Sequence, residues 1–291
     1  MASRKKLRQR IVAPRRRVQA PAADEQGFIA LCRKIEREKG FRCGNYKDTC
    51  LRRRISVRMR ARAAPSFADY AGILDTDPKE YDRLIQTLTI NVTRFFRNPE
   101  AFACVADKVI PELWHSKSPL IRVWSAGCAT GEEPYSLAML FREHALTVHD
   151  IPGLDRLRII GSDIDRDALA TASRGRYNED AFLDTAPAVR ERYFPLEDGK
   201  HTVVPEIRNL VSFEHRDLLA GKGPGGRLHL IICRNVIIYF TRATQERLFE
   251  EFHELLLPGG FLVLGKVETL LGKSRELFAP VSSRDRIYRR L

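Results

Sequence analysis

Leu51, Ile55 and Met59 recur every four residues, which places them on one face of a helix. Phe28, Leu31, Cys32 and Ile35 make a similar apolar stripe upstream, and Leu84, Ile85 and Leu88 another downstream. Asp77-Pro78-Lys79-Glu80 reads as the start of the last of these helices, with Asp77 as N-cap, Pro78 at the first turn and Glu80 at the third position. Residues 24–90 are therefore predicted to form a small all-α domain.

The pattern changes at residue 120. Apolar runs at 120–124, 157–162, 209–214, 228–233 and 260–265 alternate with helical stretches at 132–145, 165–174 and 242–256. That alternation predicts an α/β domain over 91–291, with a doubly wound, mostly parallel sheet and right-handed crossovers. Residues 287–291 read as a final edge strand. Residues 176–208 break the alternation. Asp198-Gly199 between two short apolar runs is a hairpin signal, so this segment is expected to be an inserted helix plus a short antiparallel hairpin.

The most informative stretch is LIRVWSAGCATGEEPYSLAML, residues 120–140. An apolar run stops at Ser125, six small residues follow to Gly131, and Glu132-Glu133-Pro134 opens a helix. This is a strand, a tight turn and a helix, whose start is expected to offer unpaired N–H groups. The spaced glycines of a dinucleotide fold are absent, because Ala126 and Cys128 stand where two of them belong. Two carboxylates disfavour a phosphate and suit a cationic or hydroxyl-rich ligand such as S-adenosylmethionine.

Ligands of open α/β sheets sit outside the carboxyl ends of the strands. Those ends carry polar residues here: Gly161-Ser162-Asp163, Arg216-Asp217-Leu218 and Cys233-Arg234-Asn235-Val236 leading to Tyr239. An Asp at such an end accepts from both hydroxyls of a ribose. Asp163 is also a candidate helix cap, although Asp165 is the better one. Ahead of the sheet, NVTRFFRNPEAF (91–102) places two phenylalanines between Arg94 and Arg97. The aromatic pair reads either as an anchor to the core or as part of a site; Thr93 and Arg97 are harder to read as packing.

The net charge of +13 is confined to the first quarter of the chain. Residues 1–75 hold 20 Lys and Arg against 7 Asp and Glu, and the remainder is balanced. A neutral body with a basic head points to an acidic partner. Residues 1–23 read as a disordered basic arm without the apolar core of a secretory signal. Arg52, Arg53, Arg54, Arg58, Arg60 and Arg62 surround the second stripe with no acid among them. Arg53 and Arg60 point away from the apolar face, and Arg54 and Arg58 flank it. No apolar run is long enough to cross a membrane. The six cysteines have no CxxC spacing and read as free thiols, so no metal is expected.

Five segments, NVTRFFRNPEAF, SAGCATGEEPYSLAML, GSDIDRDALATASRGRY, CRNVIIYF and LLPGGFLVLGKVETL, run in order across 91–270 and resemble the CheR-type chemoreceptor glutamate methyltransferases. The resemblance implies a seven-stranded class I methyltransferase sheet. It implies S-adenosylmethionine as methyl donor, S-adenosylhomocysteine as product, and receptor glutamates as acceptors. It further implies cofactor contacts at Asn91, Thr93, Arg97, Gly127, Glu133, Asp163, Asp217, Leu218, Asn235 and Val236, with Arg97 and Tyr239 near the transferring methyl. Arg53, Arg54, Arg58 and Arg60 are then candidates for docking along the acidic methylation helices of the receptors. The chain departs from the family where members carry a His-Ser-Glu-like run; here it is Gly265-Lys266-Val267-Glu268. The insert hairpin is also short, which predicts action independent of a receptor's C-terminal tail peptide.

No Ser-His-Asp or Cys-His constellation is needed for this chemistry. A glutamate carboxylate is ionised at neutral pH and is already a nucleophile. A cytoplasmic enzyme is expected, with no nucleic-acid partner and no membrane insertion. A nucleic-acid methyltransferase would share the fold, but amino-group methyltransferases carry Asn/Asp-Pro-Pro-Tyr after the fourth strand, and here Val-Ile-Ile separates Asn235 from Tyr239. A non-catalytic, cofactor-sensing scaffold is the other alternative.

Overall fold

The computed structural model describes residues 22–89, 91–116, 118–221 and 223–291. The expected basic arm lies outside the described residues except for Ala22 and Ala23, which open the first helix.

Four helices build the N-terminal part: α1 (Ala22–Lys39), α2 (Asp48–Ala61), α3 (Phe67–Thr76) and α4 (Pro78–Leu88). Their apolar stripes meet in one core of Phe28, Leu31, Ile35, Leu51, Ile55, Tyr70, Leu84 and neighbours. Asp77 caps α4 as expected, accepting from the Glu80 N–H. The Glu80 side chain does not return the cap. It lies fully buried and takes a two-point ion pair from Arg58 at 2.9 and 2.6 Å, with Tyr70 and Arg62 donating as well.

A strap, residues 91–98, leads into α5 (Pro99–Cys104), a π turn (Val105–Val109) and α6 (Ile110–His115). The main sheet then follows. Strands β1 (Ile121–Ala126) and β2 (Leu157–Asp163) flank α7 (Glu132–Thr147), and α8 (Arg166–Arg174) follows β2. An insert holds β3 (Arg176–Tyr177), α9 (Pro187–Tyr193), β4 (Leu196–Glu197), β5 (Lys200–Thr202) and the turn helix α10 (Pro205–Arg208). The chain closes with β6 (Val211–His215), β7 (Leu228–Cys233), α11 (Arg242–Leu255), β8 (Leu256–Leu264), α12 (Ser274–Leu277), β9 (Phe278–Ser282) and β10 (Ile287–Arg290).

The seven-stranded sheet has the order β6-β2-β1-β7-β8-β10-β9. Its first five strands are parallel, and β10 runs antiparallel between β8 and β9. The order reverses beside β1, which puts a crevice between the loops after β1 and β7. One cluster, with Val123, Phe141 and Ile232, packs under α7; another, with Trp124, Phe249 and Leu262, packs under α11. The central strands are buried on both faces, which explains their unbroken apolar runs.

The C-terminal segment corrects one expectation. Residues 287–291 contain a strand, but it is internal, and β9 is the edge. The edge position suits Pro280, which has no N–H to give a further neighbour. In the insert, α9 and the β4–β5 hairpin are both present, and Asp198 and Gly199 have φ of +48° and +73°, as a two-residue hairpin turn requires. The two-residue strand β3 completes a small antiparallel sheet and was too short to carry a periodicity. The six cysteines are free, four buried and two half-buried.

Candidate active site

The turn after β1 is clamped to the end of β2. The N–H groups of Gly127 and Cys128 donate to the Ser162 carbonyl at 2.8 and 2.9 Å, and that of Ala129 donates to Asp163 Oδ2 at 2.8 Å. These turn N–H groups are thus engaged, and the helix start expected to offer donors lies beyond them, at Glu132. Gly127 has φ of +78°, and a Cβ there would stand 2.6 Å from Val236 Cγ2. Only glycine lets the loops after β1 and β7 approach this closely.

Carboxylates line the strand ends. Asp163 is nearly buried and also accepts from the Asp165 N–H at 2.9 Å. Burial raises its pKa, partly offset by these backbone donors. Asp165, not Asp163, caps α8, accepting from the N–H groups of Asp167 and Ala168. Its other oxygen takes the Asn91 side chain at 2.7 Å, so the strap is tied to the end of β2. Asp217 caps the turn after β6 through the Leu219 N–H. Glu133 accepts from Ser125 Oγ at 2.8 Å and pairs with Arg234 at 3.5 Å; burial raises its pKa and the Arg234 charge works against that rise. Burial lifts the pKa of its neighbour Glu132 to about 7 although the Thr130 hydroxyl donates to it.

Packing holds the strap. Phe95 is fully buried, within 5.1 Å of the Tyr177, Phe182 and Phe194 rings, and Phe96 meets Phe102 edge-on. The aromatic pair is therefore an anchor. Arg234 adds a polar anchor, donating to the Arg97 carbonyl at 2.8 Å and to Asn98 Oδ1 at 2.9 Å. Arg97 itself donates to the Val92 carbonyl at 2.8 Å.

The turn after β7 carries Asn235 at φ of +63°. Glu268 accepts from its N–H at 3.0 Å and from the Ile238 N–H at 3.3 Å. The N-terminal domain closes over this turn. Lys47 N–H donates to the Tyr239 carbonyl, Lys47 Nζ to the Ile238 carbonyl, and the Arg54 guanidinium lies 4.4 Å from the centre of the Tyr239 ring.

These loops line two adjoining lobes. The first lies between Tyr46, Leu88, Asn91, Asp163, Asp217, Leu218, Tyr239 and Phe240. The second lies between Thr93, Arg97, Ala129, Glu133 and Arg234. Gly127, Asn235 and Val236 line both. Each residue expected to touch a cofactor, together with Tyr239, thus lines one or both of these adjoining lobes. The chemistry of the lining suits S-adenosylmethionine. Tyr46, Leu218, Val236 and Phe240 offer apolar walls for a flat base, Asp163 and Asp217 offer acceptors for hydroxyl and amine donors, and Glu133 and Arg97 offer opposite charges to an amino-acid end.

The arginines of α2 divide into two sets. Arg53 and Arg60 are exposed. Arg58 is taken by Glu80, and Arg54 is buried, donating to the Leu88 carbonyl. Arg54 and Arg58, which flank the apolar stripe, are therefore turned inward, and of the four candidate docking arginines Arg53 and Arg60 face outward. Sequence reasoning missed Tyr46 and named Arg234 and Glu268 without assigning either a role. Arg234 stands next to Asn235 at the end of a buried strand, the one signal that marks it.

Comparison with known proteins agrees with this geometry. Residues 91–287 match the family described as "CheR methyltransferase, SAM binding domain", and residues 26–89 match "CheR methyltransferase, all-alpha domain". A protein of Listeria monocytogenes named "Chemotaxis protein methyltransferase" is 31% identical over 85% of this chain and 91% of its own length. "Chemotaxis protein methyltransferase 2" of Pseudomonas aeruginosa is 36% identical over 86% and 88%. An uncharacterized 104.1 kDa protein of Rhodobacter capsulatus is 37% identical over 85% of this chain, which spans only 26% of that protein.

Proposed function

The chain belongs to the CheR methyltransferase family and is an S-adenosylmethionine-dependent methyltransferase, and we propose that it esterifies glutamate side chains of chemoreceptors in the cytoplasm, giving γ-methyl esters. The names of the Listeria and Pseudomonas relatives support a chemotaxis substrate. The observation that carries the reading is the pair of adjoining lobes, at which acids at two strand ends, Glu133 on the first turn of α7, an apolar wall and a strap with Arg97 converge.

S-adenosylmethionine supplies an activated methyl group on a sulfonium. The work left to the chain is binding, alignment and exclusion of water. Asp163 and Asp217 accept from the nucleoside. A hydroxyl donor reaching Asp163 lowers the cost of burying its charge. Glu133 and Arg97 hold the amino-acid end, with Thr93 and Asn91 on the strap beside them. An ionised acceptor carboxylate needs no general base. It must be brought in line, with reacting atoms ~3–3.5 Å apart. Tyr239 orients that carboxylate, and its ring is held by Arg54 and its backbone by Lys47. Opposite charges are neutralised in this reaction, so a drier cleft favours it. Arg53 and Arg60 steer the acidic receptor helix, while Arg54 and Arg58 support the face that meets it. The short β4–β5 hairpin is consistent with docking that does not use a receptor tail peptide.

The test is incubation of the full chain with methyl-labelled S-adenosylmethionine and receptor-bearing membranes. The expected result is label on the receptor, released as methanol by mild base. Base-stable label, or label on added RNA and not on the receptor, overturns the reading. Arg97→Ala is expected to abolish most turnover and Tyr239→Phe to reduce it less.

A further inference from the structure

The buried carboxylate of Glu268 closes the run Gly265-Lys266-Val267-Glu268, and nothing in the reaction requires another acid. Its environment is specific. The side chain is 4% exposed. Oε2 accepts from the N–H groups of Gly265, at 2.6 Å, and Asn235, at 3.0 Å; Oε1 accepts from that of Ile238 at 3.3 Å. One carboxylate thus gathers donors from both ends of the turn that follows β7 and from the end of β8. That turn holds Asn235 in the left-handed region, at φ of +63°, which asparagine tolerates better than most residues. It carries Asn235, Val236 and Tyr239, which line the cofactor cleft.

We infer that Glu268 is a positioning residue for methyl transfer, its carboxylate fixing the turn that presents Asn235, Val236 and Tyr239 to the cofactor and the acceptor. The inference rests on the cofactor-cleft reading above. Carboxylate oxygens accept only, and three N–H groups converge on them. A glutamine of the same size replaces one oxygen with an NH2, which faces donors and loses at least one bond. Gly265 belongs to the same device. A Cβ there would lie 2.6 Å from Glu268 Oε2 and 2.8 Å from the Asn235 nitrogen, so any side chain forces the carboxylate and the turn apart.

The experiment compares the wild-type full chain with Glu268→Gln and Gly265→Ala. Three readouts are taken: S-adenosylhomocysteine affinity by calorimetry, kcat and KM for labelled transfer to receptor membranes, and the amide 15N–1H resonances of Asn235 and Ile238. We expect Glu268→Gln to keep a cooperative melt, to bind the product at least tenfold more weakly and to lower kcat at least tenfold. KM for the receptor should stay within twofold, and both amide resonances should shift upfield. Gly265→Ala should reproduce the affinity loss with its own carboxylate intact. Wild-type affinity and kcat in a variant whose melting temperature alone falls would overturn the inference, and so would a loss confined to receptor KM. Should Glu268→Gln fail to fold, Gly265→Ala decides by the same criteria. Product affinity is independent of the receptor, so failure of the chemoreceptor assignment leaves this test intact.

Discussion

Arg234 and Glu133 meet on the floor of the cleft, guanidinium Nη1 to carboxylate Oε2 at 3.5 Å, with side chains only 3% and 12% exposed. The same guanidinium holds the strap through Arg97 O and Asn98 Oδ1. Arg234→Met therefore removes a buried partner and a strap anchor together. We expect a loss of about 3 kcal/mol by chemical denaturation. Adding Glu133→Gln should restore part of that stability without restoring transfer, because the strap stays unanchored. Full activity in the double variant would contradict this role.

Gly127 separates the loops after β1 and β7. Gly127→Ala puts a methyl 2.6 Å from Val236 at a φ of +78°. The expected cost is about 1–3 kcal/mol in stability, with a larger effect on cofactor affinity, since both lobes narrow at this point. Gly127→Ala with wild-type affinity by calorimetry would show that the loops part without consequence.

Glu132 gives a pH signature. Burial raises its pKa from the usual 4.5 to about 7. The folded chain then binds more protons than the unfolded chain between those values, so this group's contribution is present at low pH and is lost as pH rises from 4.5 to 7. The size is roughly 2–3 kcal/mol between pH 4.5 and 8. Glu132→Gln should flatten the stability profile by that amount over that window, measured by urea unfolding. Parallel profiles for the two proteins would rule the assignment out.

The arginines of α2 should separate by function. Arg53→Ala with Arg60→Ala is expected to leave stability within ~0.5 kcal/mol, to raise KM for receptor membranes and to weaken the dependence of rate on ionic strength. Arg58→Ala should instead destabilise by about 1–3 kcal/mol, because the buried Glu80 loses its two-point partner. If Arg58→Ala raised receptor KM at unchanged stability, the division would be wrong.

Local periodicity makes much of this molecule legible before folding is considered. The four-residue spacing of Leu51, Ile55 and Met59 marks a core face, and all three are buried. The apolar run before Ser125 and the small residues after it mark the crevice, because a ligand at parallel strand ends needs both. Long-range partners leave no such mark. That Arg58 flanks the apolar face follows from 100° per residue; that a buried Glu80 waits 22 residues on does not. Glu268 meets Asn235 across 33 residues, and Tyr46 reaches the cleft through the packing of one domain on another. The tail strand is read as an edge because β9, which carries Pro280, has too weak an alternation to be seen.

The central claim is that the loops after β1, β2, β6 and β7 and the strap form one S-adenosylmethionine site. Titration of the purified full chain with S-adenosylhomocysteine in a calorimeter tests it most directly. The account predicts saturable binding at one site per chain, weakened at least tenfold in Arg97→Ala. A chain with a cooperative thermal melt and no heat of binding to either S-adenosylhomocysteine or S-adenosylmethionine would contradict it.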